Sequence, residues 1–315
     1  MRNLFITVFF FFSFSTSSQA QTLSPIGEAN QISQMGQGIM SHQVYLARSA
    51  DGLNWELDKK LIRDHASVPD LVRKKDGTLY LYFVDATVHA IGVGVSQDDG
   101  KTWRFEQTTF DGELKHHYVD PNPVLLDDGR IRLYYLANFG PPQPGKVNEV
   151  HSATSRDGLA FQADKGFRVR RDDITDPDVI KTKSGWKLIA SQGQTAISAS
   201  GPDGLNFEWD DYPVSVSGAV SRTMAINGGY RLYKCWHGGI RSQVSPDFVS
   251  WTEEGVRISM EAAGGGVCDP GLVQLGDGSY LMTYKKMPPP EHNRLPQNVV
   301  PLPPGKMPLY NEQPR

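Results

Sequence analysis

Cysteine is nearly absent, two in 315 residues, so the fold cannot rest on a dense disulfide framework and has to bury an apolar core. Charge of one sign is lacking as well. Lys and Arg number 32 against 35 Asp and Glu, a net −3, which removes any general attraction to nucleic acid or anionic membrane and leaves room only for local basic sites. Beyond the N-terminus no apolar run approaches the roughly 20 residues of a membrane-spanning helix. Helical periodicity is nowhere sustained over an ordinary helix length, which points to an all-β chain. No spacing of His, Cys or acidic residues matches a dedicated zinc or calcium motif, so no cofactor is expected, with a His-Asp metal site at the axis as an unsupported alternative.

What is present divides the chain into four parts. Arg2 precedes the apolar stretch Leu4 to Phe14, and a small-x-small site follows at Ser18-Gln19-Ala20. Residues 1–20 therefore read as an export signal cleaved after Ala20, with an uncleaved anchor as the alternative, and the mature protein is expected to be periplasmic or secreted without stable membrane insertion. Residues 21–41 are a lead-in, residues 42–287 carry repeats, and residues 288–315 form a proline-rich tail expected to be extended or disordered. In an oxidising compartment Cys235 and Cys268 either form a structural disulfide or stay apart as buried thiols; the spacing does not decide between them.

The repeat has two halves. One is a hairpin signature: Ser49-Ala50-Asp51-Gly52-Leu53-Asn54-Trp55, Ser96 to Trp103, Ser155 to Phe161, and weaker copies at Ser200 to Phe207 and Ser245 to Trp251. The other is a strand entry followed by a turn: Pro69-Asp70 before Asp76-Gly77, Asp120-Pro121 before Asp128-Gly129, Asp176-Pro177 before Ser184-Gly185, and Asp269-Pro270 before Asp277-Gly278. In all four copies the glycine lies eight residues after the proline. A further copy keeps the turn at Asn227-Gly228-Gly229 but has Ser221-Arg222 where the Asp-Pro pair should be.

A repeat of about 50 residues containing four short strands cannot bury both faces alone, and radial stacking solves that problem. Five inner strands, near Pro69, Pro121, Pro177, Ser221 and Pro270, predict a five-bladed β-propeller of four-stranded antiparallel blades. His42 to Leu57 has only the second half of a repeat and Val267 to Tyr284 only the first, so the N-terminal strands are expected to close the last blade.

The hairpin aspartates are explained by turn chemistry: Ser and Asp bond the turn's backbone, Gly permits positive φ, and the aromatic packs between sheets. The inner-strand starts converge on one end of the axis, and Asp70, Asp120, Asp176 and Asp269 stand there. Clustered acids shift one another's pKa values, the condition for acid and base roles at one pH. The alternative is that each Asp-Pro pair is only a strand-entry device. On the connections of the same face lie His65, His116, His117, Tyr118, Arg222, Trp236 and His237, residue types suited to stacking on sugars and bonding hydroxyls.

The segment Ser96 to Trp103 resembles the Asp-box of sialidases and related propellers, where the box is structural and remote from the active centre. Residues 40 to 286, and Tyr118 to Gly129 most closely, resemble five-bladed glycosidases of glycoside hydrolase families 43 and 32. That resemblance implies an aspartate base on the first blade, an aspartate on the second that tunes the acid, and a glutamate acid on the third. By position these are Asp70, Asp120 and, in place of glutamate, Asp176, with Asp70 departing from the others by following its proline. The implied protein is an exported, monomeric glycoside hydrolase acting on a glycan, with Asp70, Asp120 and Asp176 catalytic and His65, His117, Tyr118, Arg222, Trp236, His237 and Asp269 binding substrate. A non-catalytic carbohydrate-binding or scaffold propeller is the alternative, and a sialidase a second one, although three arginines cannot be placed on the inner strands.

Overall fold

The computed structural model describes residues 38–111, 118–137 and 147–287. The expected signal, most of the lead-in, the proline-rich tail and His116 and His117 lie outside the described residues. The described strands form five sheets, each built on an antiparallel four-stranded blade; consecutive strands pair in four of them, and Thr109–Asp111 adds a short parallel edge beside Ala160–Ala163. Blade 1 consists of Ala66–Arg73, Leu79–Asp85, Ala90–Ser96 and Arg104–Gln107; blade 2 of Val119–Leu125, Ile131–Ala137, Val147–Ser155 and Ala160–Ala163. Blade 3 consists of Ile174–Thr182, Gly185–Gln192, Thr195–Gly201 and Glu208–Ser215; blade 4 of Ala219–Ile226, Gly229–Trp236, Gly239–Ser245 and Thr252–Ile258. The first strands touch one another in the cyclic order of the blades, so the five sheets close into a propeller.

Blade 5 joins the two ends of the repeat region. Gly266–Gln274 and Tyr280–Met287 come from one end, and Gln43–Ser49 and Glu56–Leu57 from the other. The junction is a full ladder, from Gln43 opposite Lys286 to Ser49 opposite Tyr280.

The alternation of apolar residues places one buried cluster at each blade interface. Tyr82 and Val93 meet Leu133 and Phe161 between blades 1 and 2, and Leu136 and Val150 meet Val179 and Leu188 between blades 2 and 3. Ile189 meets Leu232 and Phe248 between blades 3 and 4, Tyr233 meets Met282 and Tyr284 between blades 4 and 5, and Leu46 meets Leu71 and Leu81 between blades 5 and 1.

The hairpin turns fasten these interfaces from the end opposite the strand entries. Asp98 accepts from the backbone N–H groups of Lys101 and Thr102 and from the Thr102 hydroxyl, while the Ser96 hydroxyl accepts from Gly100 N–H. The carbonyls of the turn glycines then receive buried tyrosines of the preceding blade: Tyr82 bonds Gly158 at 2.8 Å, Tyr134 bonds Gly204 at 2.7 Å and Tyr233 bonds Gly52 at 2.7 Å. Each such glycine has positive φ and lies against aromatic side chains of the preceding blade; a Cβ at Gly158 would lie 2.4 Å from Tyr80, the neighbour of Tyr82 on the same strand face.

Candidate active site

All five inner strands begin with the same backbone device. One residue adopts left-handed geometry just before a proline or serine: Val68 (φ 48°), Asp120 (55°), Asp176 (48°), Val220 (54°) and Asp269 (51°). Pairing with the neighbouring strand slips at this point, between Ser67 and Asp70, Thr175 and Asp178, Ala219 and Arg222, and Cys268 and Gly271. Such geometry costs on the order of 1–3 kcal/mol per residue, less for aspartate than for β-branched valine. The Asp-Pro pair is thus a strand-entry device, yet its carboxylates are not spent on their own turns.

Asp120, Asp176 and Asp269 form an upper tier around the axis. Asp120 Oδ2 accepts from the backbone N–H of Asp176 on the next blade at 3.1 Å, and the Thr175 hydroxyl donates to Asp176 Oδ2 at 2.6 Å. Lys285, from the second strand of blade 5, meets Asp269 Oδ2 at 2.7 Å. His42 stands beside this pair with Nδ1 2.9 Å from the Ser67 hydroxyl. Asp120 and Asp269 are buried, and Asp176 is half-buried. The free space among the strand entries is about 30 Å³, room for a water or two.

Electrostatics in this tier favour bound protons. Burial, then the neighbouring charge of Asp176, pushes Asp120 well above the usual carboxylate range. Burial and the charge of Asp269 raise Asp176 to about 6. Burial would lower the Lys285 ammonium, but Asp269, Asp176 and Asp120 together raise it. Burial and then Lys285 lower His42 to about 4, leaving a neutral imidazole at physiological pH.

Two residues further along each inner strand lies a second tier: Asp70, Asn122, Asp178, Arg222 and Gly271. Arg222 Nε is 3.3 Å from Asp70 Oδ1 and its Nη1 is 3.7 Å from Asp178 Oδ1. Asn122 donates to Asp70 Oδ2 at 2.9 Å, and Thr223 donates to Asp178 Oδ2 at 2.6 Å. Gly271 leaves the space that Asp70 fills, since a Cβ there would lie 2.6 Å from both Asp70 Cα and Oδ1. Burial raises Asp70 to about 7 even against the attraction of Arg222.

The expected ring of four acids is therefore a ring of three, with Asp70 one layer deeper. Asp70 follows its proline, so its counterparts are Asn122 and Asp178, and its carboxylate is engaged by Arg222, Asn122 and the Leu71 N–H. Arg222, expected among the substrate-binding residues, is half-buried between two carboxylates and donates to the carbonyls of Leu71 and Pro123. Asp269 joins the upper tier. Tyr118 packs its ring on Phe110 and Tyr135, and His65 turns to the Met40 carbonyl at 2.5 Å; neither is brought against the acids. Trp236 and His237 lie at the acid end, ring against ring at 4.2 Å, in the turn between the second and third strands of blade 4. Lys285, His42, Asn122 and Asp178 escape sequence reasoning, though the constant proline-to-glycine spacing already aligns Asn122 and Asp178 with Asp70.

Cys235 and Cys268 are disulfide-bonded, with Cα atoms 5.2 Å apart, and tie blade 4 to blade 5 beside Asp269, whose N–H approaches Cys235 Sγ at 3.1 Å. Their sulfurs and Asp269 cluster tightly enough to suggest a metal set, but a disulfide offers no thiolate.

No protein-family model matches the chain, and no curated protein matches it. Solved structures do share its architecture. A Dyadobacter fermentans protein of unknown function superposes with a TM-score of 0.54 at 18% identity over 78% of this chain and 84% of that one. A thermostable family-43 glycoside hydrolase superposes with a TM-score of 0.56 at 13% identity over 70% and 88%, and the Cellvibrio cellulosa α-L-arabinanase with 0.51 at 17% over 69% and 86%. The five-bladed fold of this chain is thus one that glycoside hydrolases also use.

Proposed function

We propose that this protein is a glycoside hydrolase that cleaves a glycan at the acid end of the propeller axis. The observation that carries the reading is the upper tier, where aspartates from blades 2, 3 and 5 converge in strained backbone and burial raises the carboxyls of two of them, Asp120 and Asp176. Neighbouring carboxyls whose proton affinities are altered by burial and by each other's charge divide into acid and base. Asp120, raised by burial and the charge of Asp176, donates a proton to the departing glycosidic oxygen. Asp176, ionised above about 6, supports the positive charge that develops on the sugar or takes the proton of water. Asp269, ion-paired with Lys285, holds the tier's remaining charge. These roles differ from those the family resemblance implies, because Asp70 is committed to Arg222 and the acid moves to Asp120.

The test is turnover on a panel of aryl glycosides and oligosaccharides. Asp120→Asn and Asp176→Asn each lower it by roughly 10²–10⁴-fold, with the acid limb of the wild-type pH profile near 6, while Asp98→Asn at the opposite end leaves it within about twofold. Undiminished turnover in both axial variants overturns the reading. A carbohydrate-binding propeller without chemistry is favoured by one observation, the narrow space of about 30 Å³ between the acids, and it requires sugar binding with no sugar released. A sialidase would need arginines for a substrate carboxylate, but Arg222 is held by Asp70 and Asp178 and Arg63 by Asp85.

A further inference from the structure

The acids leave no room for a sugar ring between them, yet a hollow of about 410 Å³ opens beside them at the same end of the axis, between blades 4 and 5. Val220 lines both spaces. The disulfide of Cys235 and Cys268 borders the hollow, and Trp236 and Asp269 directly follow its two cysteines, whose Cα atoms are 5.2 Å apart, so the wall of the hollow and the tier are joined through it. The half-buried Trp236 ring and the exposed His237 form one wall, and exposed Gln194 of blade 3 stands at the rim. The lining is mostly apolar with a few polar groups at its edge, and its volume falls in the range of about 300–1,000 Å³ common to small-molecule sites. A flat indole flanked by hydrogen-bonding side chains suits a ligand that has an apolar C–H face and a hydroxyl edge, which describes a pyranose or furanose ring.

We infer that this hollow is a sugar subsite. It holds the unit adjoining the one presented to Asp120 and Asp176, so a glycan is gripped across two neighbouring sugars. The inference rests on the glycan reading of the acid tier, and it makes the protein a reader of chain length: an oligosaccharide fills both positions, a monosaccharide one.

Binding separates it from catalysis. Affinities are measured by calorimetry for β-1,3-galactotriose, α-1,5-arabinotriose, β-1,4-xylotriose and the corresponding free monosaccharides, using the full chain carrying Asp120→Asn to suppress turnover. Adding Trp236→Ala lowers the trisaccharide-to-monosaccharide affinity ratio at least tenfold. Gln194→Trp, which blocks the hollow from its exposed rim without removing a packed ring, lowers it similarly and covers the case in which the alanine variant fails to fold. An unchanged ratio in the blocked variant overturns the subsite, as does a failure of every trisaccharide to bind better than its monosaccharide. Hydrolysis of the same trisaccharides by the unsubstituted protein is scored separately: binding with the expected split but no cleavage sinks the enzyme and keeps the subsite, while cleavage with an unchanged ratio does the reverse.

Discussion

At the hairpin end of the propeller, exposed Asp51 and partly exposed Asp98 are ringed by donors. The Asn54 backbone N–H lowers Asp51, and the Thr102 hydroxyl lowers Asp98, far below the usual carboxylate range. At the axial end, Asp120 is buried and Asp176 half-buried, donors are few, and burial and neighbouring carboxylates raise both. The same side chain is therefore consumed by structure in one place and left with unspent reactivity in the other. Donor supply and burial, not residue type, set the difference. The second tier stands between these extremes, with buried acids like the first and bonded acids like the turns.

The sharpest way to break this comparison is to remove the cation that lets the second tier be acidic at all. Arg222→Met leaves Asp70 and Asp178 buried without their partner and should cost about 3–5 kcal/mol in urea unfolding. A loss below about 1 kcal/mol would show that the network is not ion-paired in solution. Next in size is Asp176→Asn. Because folding raises this carboxyl from 3.8 to about 6, the stability tied to its proton is complete below about pH 4 and fades as pH rises through 6. The variant should therefore match the wild type near pH 4 and exceed it by up to about 3 kcal/mol above pH 7, as shown by thermal melts across that range. A variant less stable at pH 8 would place Asp176 among satisfied acids like those of the turns. The smallest effect belongs to the hairpin end, where Ser96→Ala removes an acceptor for the Gly100 N–H and should cost about 1 kcal/mol with glycan turnover unchanged. A drop in turnover there would deny the separation of the two ends.

The fold was readable because turn chemistry is local. Ser96, Asp98, Gly100 and Trp103 satisfy one another within eight residues, and the five inner strands near Pro69, Pro121, Pro177, Ser221 and Pro270 set the blade count without any long-range contact. Asp120, Asp176 and Asp269 were readable for the same reason, since an aspartate before proline marks the strained entry of a strand. Asp70 stood out by following its proline; the eight residues from proline to glycine align it with Asn122, Asp178 and Gly271, while it still lines the same axial space as Asp120, Asp176 and Asp269. Lys285 and His42 were invisible, because they reach the site through the ladder that pairs Gln43–Ser49 with Tyr280–Met287, a contact across more than 200 residues. The disulfide needed the same long-range geometry, since nothing in two cysteines 33 apart reveals that their strands are neighbours.

That ladder also orders events in time. A chain emerging from the ribosome can complete blades 1 to 4 while the acid tier still lacks Asp269 and Lys285, and Gln43–Ser49, made first, has no strand to pair with until Tyr280–Met287 appears. Four-fifths of the protein can thus be synthesised before either half of blade 5 finds the other. The axial tier is therefore completed only when Gly266–Gln274 and Tyr280–Met287 have been made, since they carry Asp269 and Lys285.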